Sequence, residues 1–503
     1  MKAQLEDIRL RCEEFFQEMQ RVKYHKGSGQ SPATRTSMVY DGYPDLGSPA
    51  LVDLLRSETE SLQSLPAGSE SFQRHKLLLL HTLRIYVGYQ TREVADRVES
   101  VESRGVIRVG KRGEVIPFVE SERRLRNEPV RTARETMANA RDRFVAAEVV
   151  PVRESLWKQS WRALDELGVQ DCARVIETLG DVDLVTLHSR VEEFLKRTRD
   201  TYLDLLRWLA RKKIDLPPEQ LRYHDLAFLV RAQEYDRHFP ADEMVPKILR
   251  SVSKMNLDPL VSGAIQIDQG LRVGKIPGAF CAPVRIPEEI YLVADPTEGA
   301  ESYYEFLREL GRALHFGYTS PSALWEYKRL GDRSVSEAYA VLFGGLASDR
   351  IWLRKILGWV PTEEYRKARC LSELAALRRT CISFAVGLLL HRNRNLRGTA
   401  AEYGALSTET MAVEYSPADY LEGVDLFLSA ADTLRGWMVK SALSQYLREN
   451  FDEDWFVNPR TGQFFTEFWH EGQKLSAEQF VRQLAYPTLT FDFLIDTIQS
   501  ALS

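Results

Sequence analysis

Arg308-Glu309-Leu310-Gly311-Arg312, inside the segment YYEFLRELGRALHFGYT from Tyr303 to Thr319, is the run whose residue types and spacing bear most directly on chemistry. On a helix the first and fifth residues of such a run lie on one face. With histidine at both positions the pattern would be H-E-x-x-H, which offers two imidazoles to zinc and a carboxylate to act as base on a metal-bound water. Here both positions are arginine. A guanidinium stays protonated and has no free lone pair, so it donates hydrogen bonds and ligates no metal. What these residues can do is pair with carboxylates. On spacing alone, Glu305/Arg308 and Glu309/Arg312 are oppositely charged i, i+3 pairs, the pattern of a solvated helix face.

Other residues add little to a metal reading. His315 lies three residues after Arg312, one position off the face that ligands would share, and is expected to pack or cap. The remaining eight histidines (25, 75, 81, 188, 224, 238, 391 and 470) include no two at a ligand spacing on one helix. Gly274-Lys275 lacks the spacing of a phosphate-binding loop. No G-x-S-x-G nucleophile elbow occurs.

Helices must position this run. Apolar residues recur at i, i+3, i+4 and i+7 in long windows, among them 5–22, 71–98, 130–149, 191–212, 334–357 and 367–390. Two segments read as strand. One is Gly105 to Phe118, two β-branched runs around a glycine turn, a hairpin pattern. The other is Ala279 to Val293, cut by Pro283 and Pro287 in the manner of edge strands, and it leads through a short loop into the Arg308 helix. Ser476, followed by Glu478 and Gln479, marks a helix start in the aromatic-rich tail.

The chain has 503 residues with 44% hydrophobic and 28% charged residues, the balance of a globular protein. Net charge is −5 and the basic residues are dispersed, which excludes a nucleic-acid footprint. Five cysteines with no C-x-x-C spacing argue for a reducing compartment. The N-terminus lacks the apolar core of a signal peptide. The most apolar stretch, 384–390, is far shorter than the roughly 20 residues of a membrane span. The expectation is a cytoplasmic protein with no nucleic-acid or membrane partner.

The region from Lys275 to Tyr318 resembles the active-site region of the M3 family of zinc metallopeptidases, the thimet oligopeptidase and oligoendopeptidase F group. Lys275, Gly278, Ala279, Phe280 and Cys281 match the lead-in, and Glu309, Gly311, Ala313, Leu314 and His315 match the helix. Tyr223 to Pro240 and Asp419 to Met438 resemble flanking segments. The resemblance implies a mainly α, two-lobed helical fold with a central cleft and a short β segment beside the motif helix. It divides the chain into an N-terminal helical lobe (1–118) and a peptidase-like domain (119–503).

In that family two histidines and a downstream glutamate hold zinc, and the motif glutamate is the general base. Carried over, Arg308 and Arg312 stand at the histidine ligand positions. Glu337, 25 residues after Arg312, matches the third ligand, and Glu309 matches the general base as a vestige. Tyr415 and Tyr420, with His315, are candidates to line the cleft. Asp432-Thr433 stands where the resemblance leads one to look for an aromatic residue. Zinc is expected to be lost as a cofactor, with Arg308, Arg312, Glu309 and Glu337 forming a salt-bridge cluster in its place. Three functions compete: a catalytically inactive peptidase homologue that binds a peptide or protein partner; an active zinc oligoendopeptidase with a different ligand set; and a structural or assembly protein whose cleft its own salt bridges close.

Overall fold

Apolar residues three and four apart build the helices, and one continuous hydrophobic cluster from Leu5 to Ile498 holds most of them together. The computed structural model describes residues 2–64, 69–110 and 113–502. The fold is mainly helical. The motif helix, Ala300–Gly317, shows how the pattern works. Tyr303, Phe306, Leu307, Leu310 and Leu314 are at most 1% exposed and pack into this core. Its polar side carries Glu305, Arg308, Glu309 and Arg312. The helix Arg333–Gly345 packs against the motif helix, and the helix Ser429–Phe451 packs against that one in turn.

Five short strands accompany the helices among the described residues. β1 (Val106–Val109) and β2 (Glu114–Pro117) form the antiparallel hairpin read from the sequence. β3 (Ile265–Asp268), β4 (Ala279–Arg285) and β5 (Glu289–Ala294) form a sheet in the order β3-β5-β4. β4 is an edge strand, as its proline suggests. β5 is central, because β3 pairs with it in parallel; four residues of β3 between turns were too short a signal to read. β4 lies between the motif helix and the N-terminal helix, Lys2–Gly27.

The expected division after residue 118 falls inside a structural unit. Ile107 and Ile116 of the hairpin share a small core with Leu125, Met137, Ala138 and Ala140, separate from the main one. The Phe118 N–H also donates to the Gly105 carbonyl at 2.8 Å. Residues on both sides of 118 contribute to the main core as well. The hairpin unit, with the helix Phe118–Asn127, instead covers one side of a cleft. Two cavities of about 230 and 830 Å³ share Glu122, Arg126, Arg231 and Glu301 in their walls.

Among the described residues one helix, Glu363–Asn393, is long and apolar enough by composition to cross a membrane. The shorter stretch at 384–390 underestimated it. Its central residues are buried against neighbouring helices, including Leu374, Leu377, Phe384 and Leu390, each at most 1% exposed. It is a core helix of the fold.

Candidate functional site

Two glycines bring the site together. A Cβ on Gly311 would lie 2.7 Å from the Tyr339 carbonyl oxygen and 2.9 Å from Phe343 Cβ, so only glycine lets the motif helix approach the Arg333–Gly345 helix this closely. A Cβ on Gly436 would lie 2.8 Å from Glu337 Cβ, so the third helix presses on Glu337 from behind. Glu337 is thereby aimed at the face that carries Arg308 and Arg312.

The four charged residues meet. Arg308 donates through Nη1 to Glu309 Oε1 at 2.9 Å and through Nη2 to Glu337 Oε1 at 2.5 Å. Arg312 donates through Nη2 to Glu337 Oε2 at 2.7 Å, and its Nε lies 3.3 Å from Glu309 Oε2. Glu309 Oε2 also accepts the backbone N–H of Cys281 on β4 at 3.1 Å. Two guanidiniums and two carboxylates give a set with no net charge. The i, i+3 pattern suggested a solvated face; Glu309 and Glu337 are instead 8% exposed, and Glu305 makes no ion pair with Arg308 among the described residues. The two contacts to Glu337 run across helices, so the helical period alone did not disclose them.

Burial by itself would push the Glu337 carboxyl up. Arg312 and Arg308 outweigh that and hold it down at about 2. Arg308 and Arg312 are desolvated too, yet the two glutamates raise both guanidiniums above their ordinary value. Glu305, one turn before Glu309, is pushed up to about 7 by burial and by Glu301.

This donor set does not fit zinc. Two of the three positions hold residues with no lone pair, both Glu337 oxygens and Glu309 Oε1 accept from arginine, and Glu309 Oε2 faces Arg312 Nε at 3.3 Å. Glu309 also accepts a backbone N–H, from Cys281, on Oε2.

The edge of β4 beside this cluster is occupied as well. Lys23 of the N-terminal helix donates to the Cys281 carbonyl at 2.9 Å. Arg329 donates to the Pro283 and Val284 carbonyls, each at 2.5 Å. With Glu309 on the Cys281 N–H, side chains of this chain hold the groups that an added strand would pair with. Nothing in the sequence pointed to Lys23, which is 258 residues from Cys281.

The other predicted residues separate. His315 is fully buried and is not a cleft residue. Its Nε2 lies 3.1 Å from the Gly472 carbonyl and its Nδ1 3.0 Å from Ser336 Oγ, and burial pushes its pKa down to about 4. It turns inward because it sits on the packed side of the motif helix. Tyr420 is also buried, with its hydroxyl donating to Glu154 at 2.9 Å, so it too is removed from the cleft residues. Tyr415 does line the 230 Å³ cavity, whose wall includes Tyr304, one turn before Arg308. Asp432 faces Arg333 at 3.9 Å.

No protein-family model matches the chain, and no curated protein matches it. Solved structures do. A protein from Bacillus anthracis str. Ames, assigned as an oligoendopeptidase F, superposes with a TM-score of 0.67 over 95% of this chain and 86% of its own, at 12% identity. A protein from Chlamydophila abortus, assigned as a peptidase, superposes with a TM-score of 0.57 over 93% and 82%, also at 12% identity. The chain has an oligoendopeptidase F-like fold. At this identity the likeness speaks for the fold, and the site must be read from its own residues.

Proposed function

We propose that this chain is a non-hydrolytic member of the peptidase fold: an arginine–glutamate cluster occupies the place of a catalytic metal, and the cleft holds a peptide or a segment of a partner protein without cutting it. One observation carries the reading. Both oxygens of Glu309 and of Glu337 are engaged by Arg308 and Arg312, leaving neither a ligand set nor a free base. Water activation at neutral pH needs one or the other. Because the cluster is self-neutralised, Arg308 and Arg312 are poor candidates to grip a ligand carboxylate, and any peptide must be held elsewhere in the cleft.

The test is metal stoichiometry by elemental mass spectrometry on protein purified without chelators or a histidine tag, together with hydrolysis of a quenched fluorescent peptide library. The expected result is no stoichiometric metal and no cleavage. About one zinc per chain with metal-dependent cleavage would overturn the reading. A second reading, a structural or assembly role, draws on the occupied β4 edge. It predicts that no peptide binds at millimolar concentration.

A further inference from the structure

The cavity of about 230 Å³ has a wall unlike the neutralised cluster. One face of the Glu363–Asn393 helix runs along it, carrying Glu373, Ala376 and Arg379. Glu373 has no hydrogen bond and no ion pair among the described residues. The Arg379 side chain is 47% exposed, and its nearest carboxylates, Glu122 and Glu422, are each 3.9 Å away, beyond hydrogen-bond distance. Those two carboxylates have closer partners, Arg126 at 2.6 Å and Arg141 at 3.5 Å. Arg379 is therefore held by two loose ion pairs and makes no short hydrogen bond among the described residues. The hydroxyls of Tyr304 and Tyr415, also in this wall, have no hydrogen-bond partner among the described residues. Between the two charges stands Ala376, an exposed methyl that leaves the floor open.

A concave site with a few convergent, unsatisfied polar groups over an apolar floor is the form of a small-ligand pocket. The charges narrow the ligand. The wall holds five arginines and five acidic residues, so a simple anion or cation gains nothing from the field as a whole. A ligand with one pole of each sign does gain. Glu373 and Arg379 are six residues apart on the helix, about 9 Å along its axis at 1.5 Å per residue. An extended two-residue peptide spans about 7 Å, and flexible side chains cover the remainder.

Resting on the peptide-holding reading above, we infer that this cavity is a terminus-reading site for short zwitterionic peptides, with Arg379 taking the C-terminal carboxylate and Glu373 the N-terminal ammonium. Tyr304 and Tyr415 hydrogen-bond the backbone between the two ends. Such a site takes whole short peptides of two or three residues rather than the interior of a long one.

Isothermal titration calorimetry of the full chain tests this with four probes: alanyl-leucine, its C-terminal amide, its N-acetyl form, and a hexapeptide blocked at both ends. Alanyl-leucine is expected to bind, and each single block to weaken it about tenfold or more, the cost of a lost charge-assisted hydrogen bond. Arg379→Gln should erase the penalty for the amide and keep that for the acetyl group. Glu373→Gln should do the reverse. Both side chains line the cavity without a short hydrogen bond, and circular dichroism and the thermal midpoint confirm folding of the variants. Equal binding of free and blocked dipeptides, or penalties unchanged in the variants, overturns terminus reading. If only the blocked hexapeptide binds, the terminus-reading site fails while the peptide-holding reading stands. If no probe binds at millimolar concentration, both fail.

Discussion

Glu337→Gln isolates the energetic logic of the cluster. The Glu337 carboxyl is held at about 2 instead of its ordinary 4.5. At 1.36 kcal/mol per unit, that depression corresponds to about 3 kcal/mol of stability at neutral pH. The side chain is only 10% exposed, so solvent screens little of it. The substitution also leaves Arg308 and Arg312 facing a neutral amide in a desolvated place, a loss of the size seen when one partner of a buried pair is removed. For a chain of 503 residues, about 3 kcal/mol lowers the thermal midpoint by about 3 °C.

The pH dependence carries the sign. The unfolded carboxyl titrates near 4.5 and the folded one near 2, so the contribution is complete above pH 4.5 and drains away as pH falls toward 2. Parent and variant midpoints, measured by calorimetry from pH 7 down to pH 3, should therefore converge as the solution is acidified. Removing a cation as well, in Arg312→Gln/Glu337→Gln, should recover part of the loss because one orphaned charge is gone. A variant within about 0.5 kcal/mol of the parent at pH 7, or a difference that does not shrink on acidification, would refute the account.

Arg308→His/Arg312→His recreates H-E-L-G-H opposite Glu337, and the folded double variant should take up about one zinc per chain by elemental analysis. At zinc a hundredfold above its dissociation constant, it should gain about 2.7 kcal/mol. A folded variant that binds none would remove Glu337 from the ligand assignment. Glu305→Gln should match the parent near pH 4 and exceed it by up to about 3 kcal/mol near pH 8. The partly buried Glu305 carboxyl, raised to about 7, keeps a proton that the unfolded chain gives up near 4.5, so stability falls as pH rises across that window. Parallel pH curves for the two proteins would contradict this. Gly311→Ala should cost about 1–3 kcal/mol, because the new methyl meets the Tyr339 carbonyl at 2.7 Å. An unchanged midpoint would mean that the helices part at no cost.

Periodicity carried most of the architecture. The apolar stripe Tyr303, Leu307, Leu310 and Leu314 is the buried face of the motif helix. The β-branched runs at 106–109 and 114–117 pair as the hairpin. Ser476 caps its helix by accepting the Gln479 N–H at 3.2 Å, while the Gln479 side chain accepts the Ser476 N–H. What failed was local reasoning about long-range partners. β3 pairs with a strand more than twenty residues on, and its four residues carry no strong pattern. His315 and Tyr420 looked available from residue type and position, but packing turned both into buried hydrogen-bonding groups. The boundary at residue 118 followed the end of a hairpin and missed the small core that ties the hairpin to the next two helices.

The sequence by itself determined what the motif residues cannot do. Arginine at 308 and 312 excludes ligation there whatever the fold, because the lone pair is missing from the side chain itself. Only the tertiary structure decided what they do instead. Which carboxylate neutralises which guanidinium depends on helices brought within a glycine's reach of each other, and the spacing in the chain says nothing of that distance. The same holds for Lys23 on the edge of β4, and for Arg379 and Glu373 left without a short hydrogen bond in the cavity. Whether a charge is spent or available is a property of its neighbours, and folding alone chooses them.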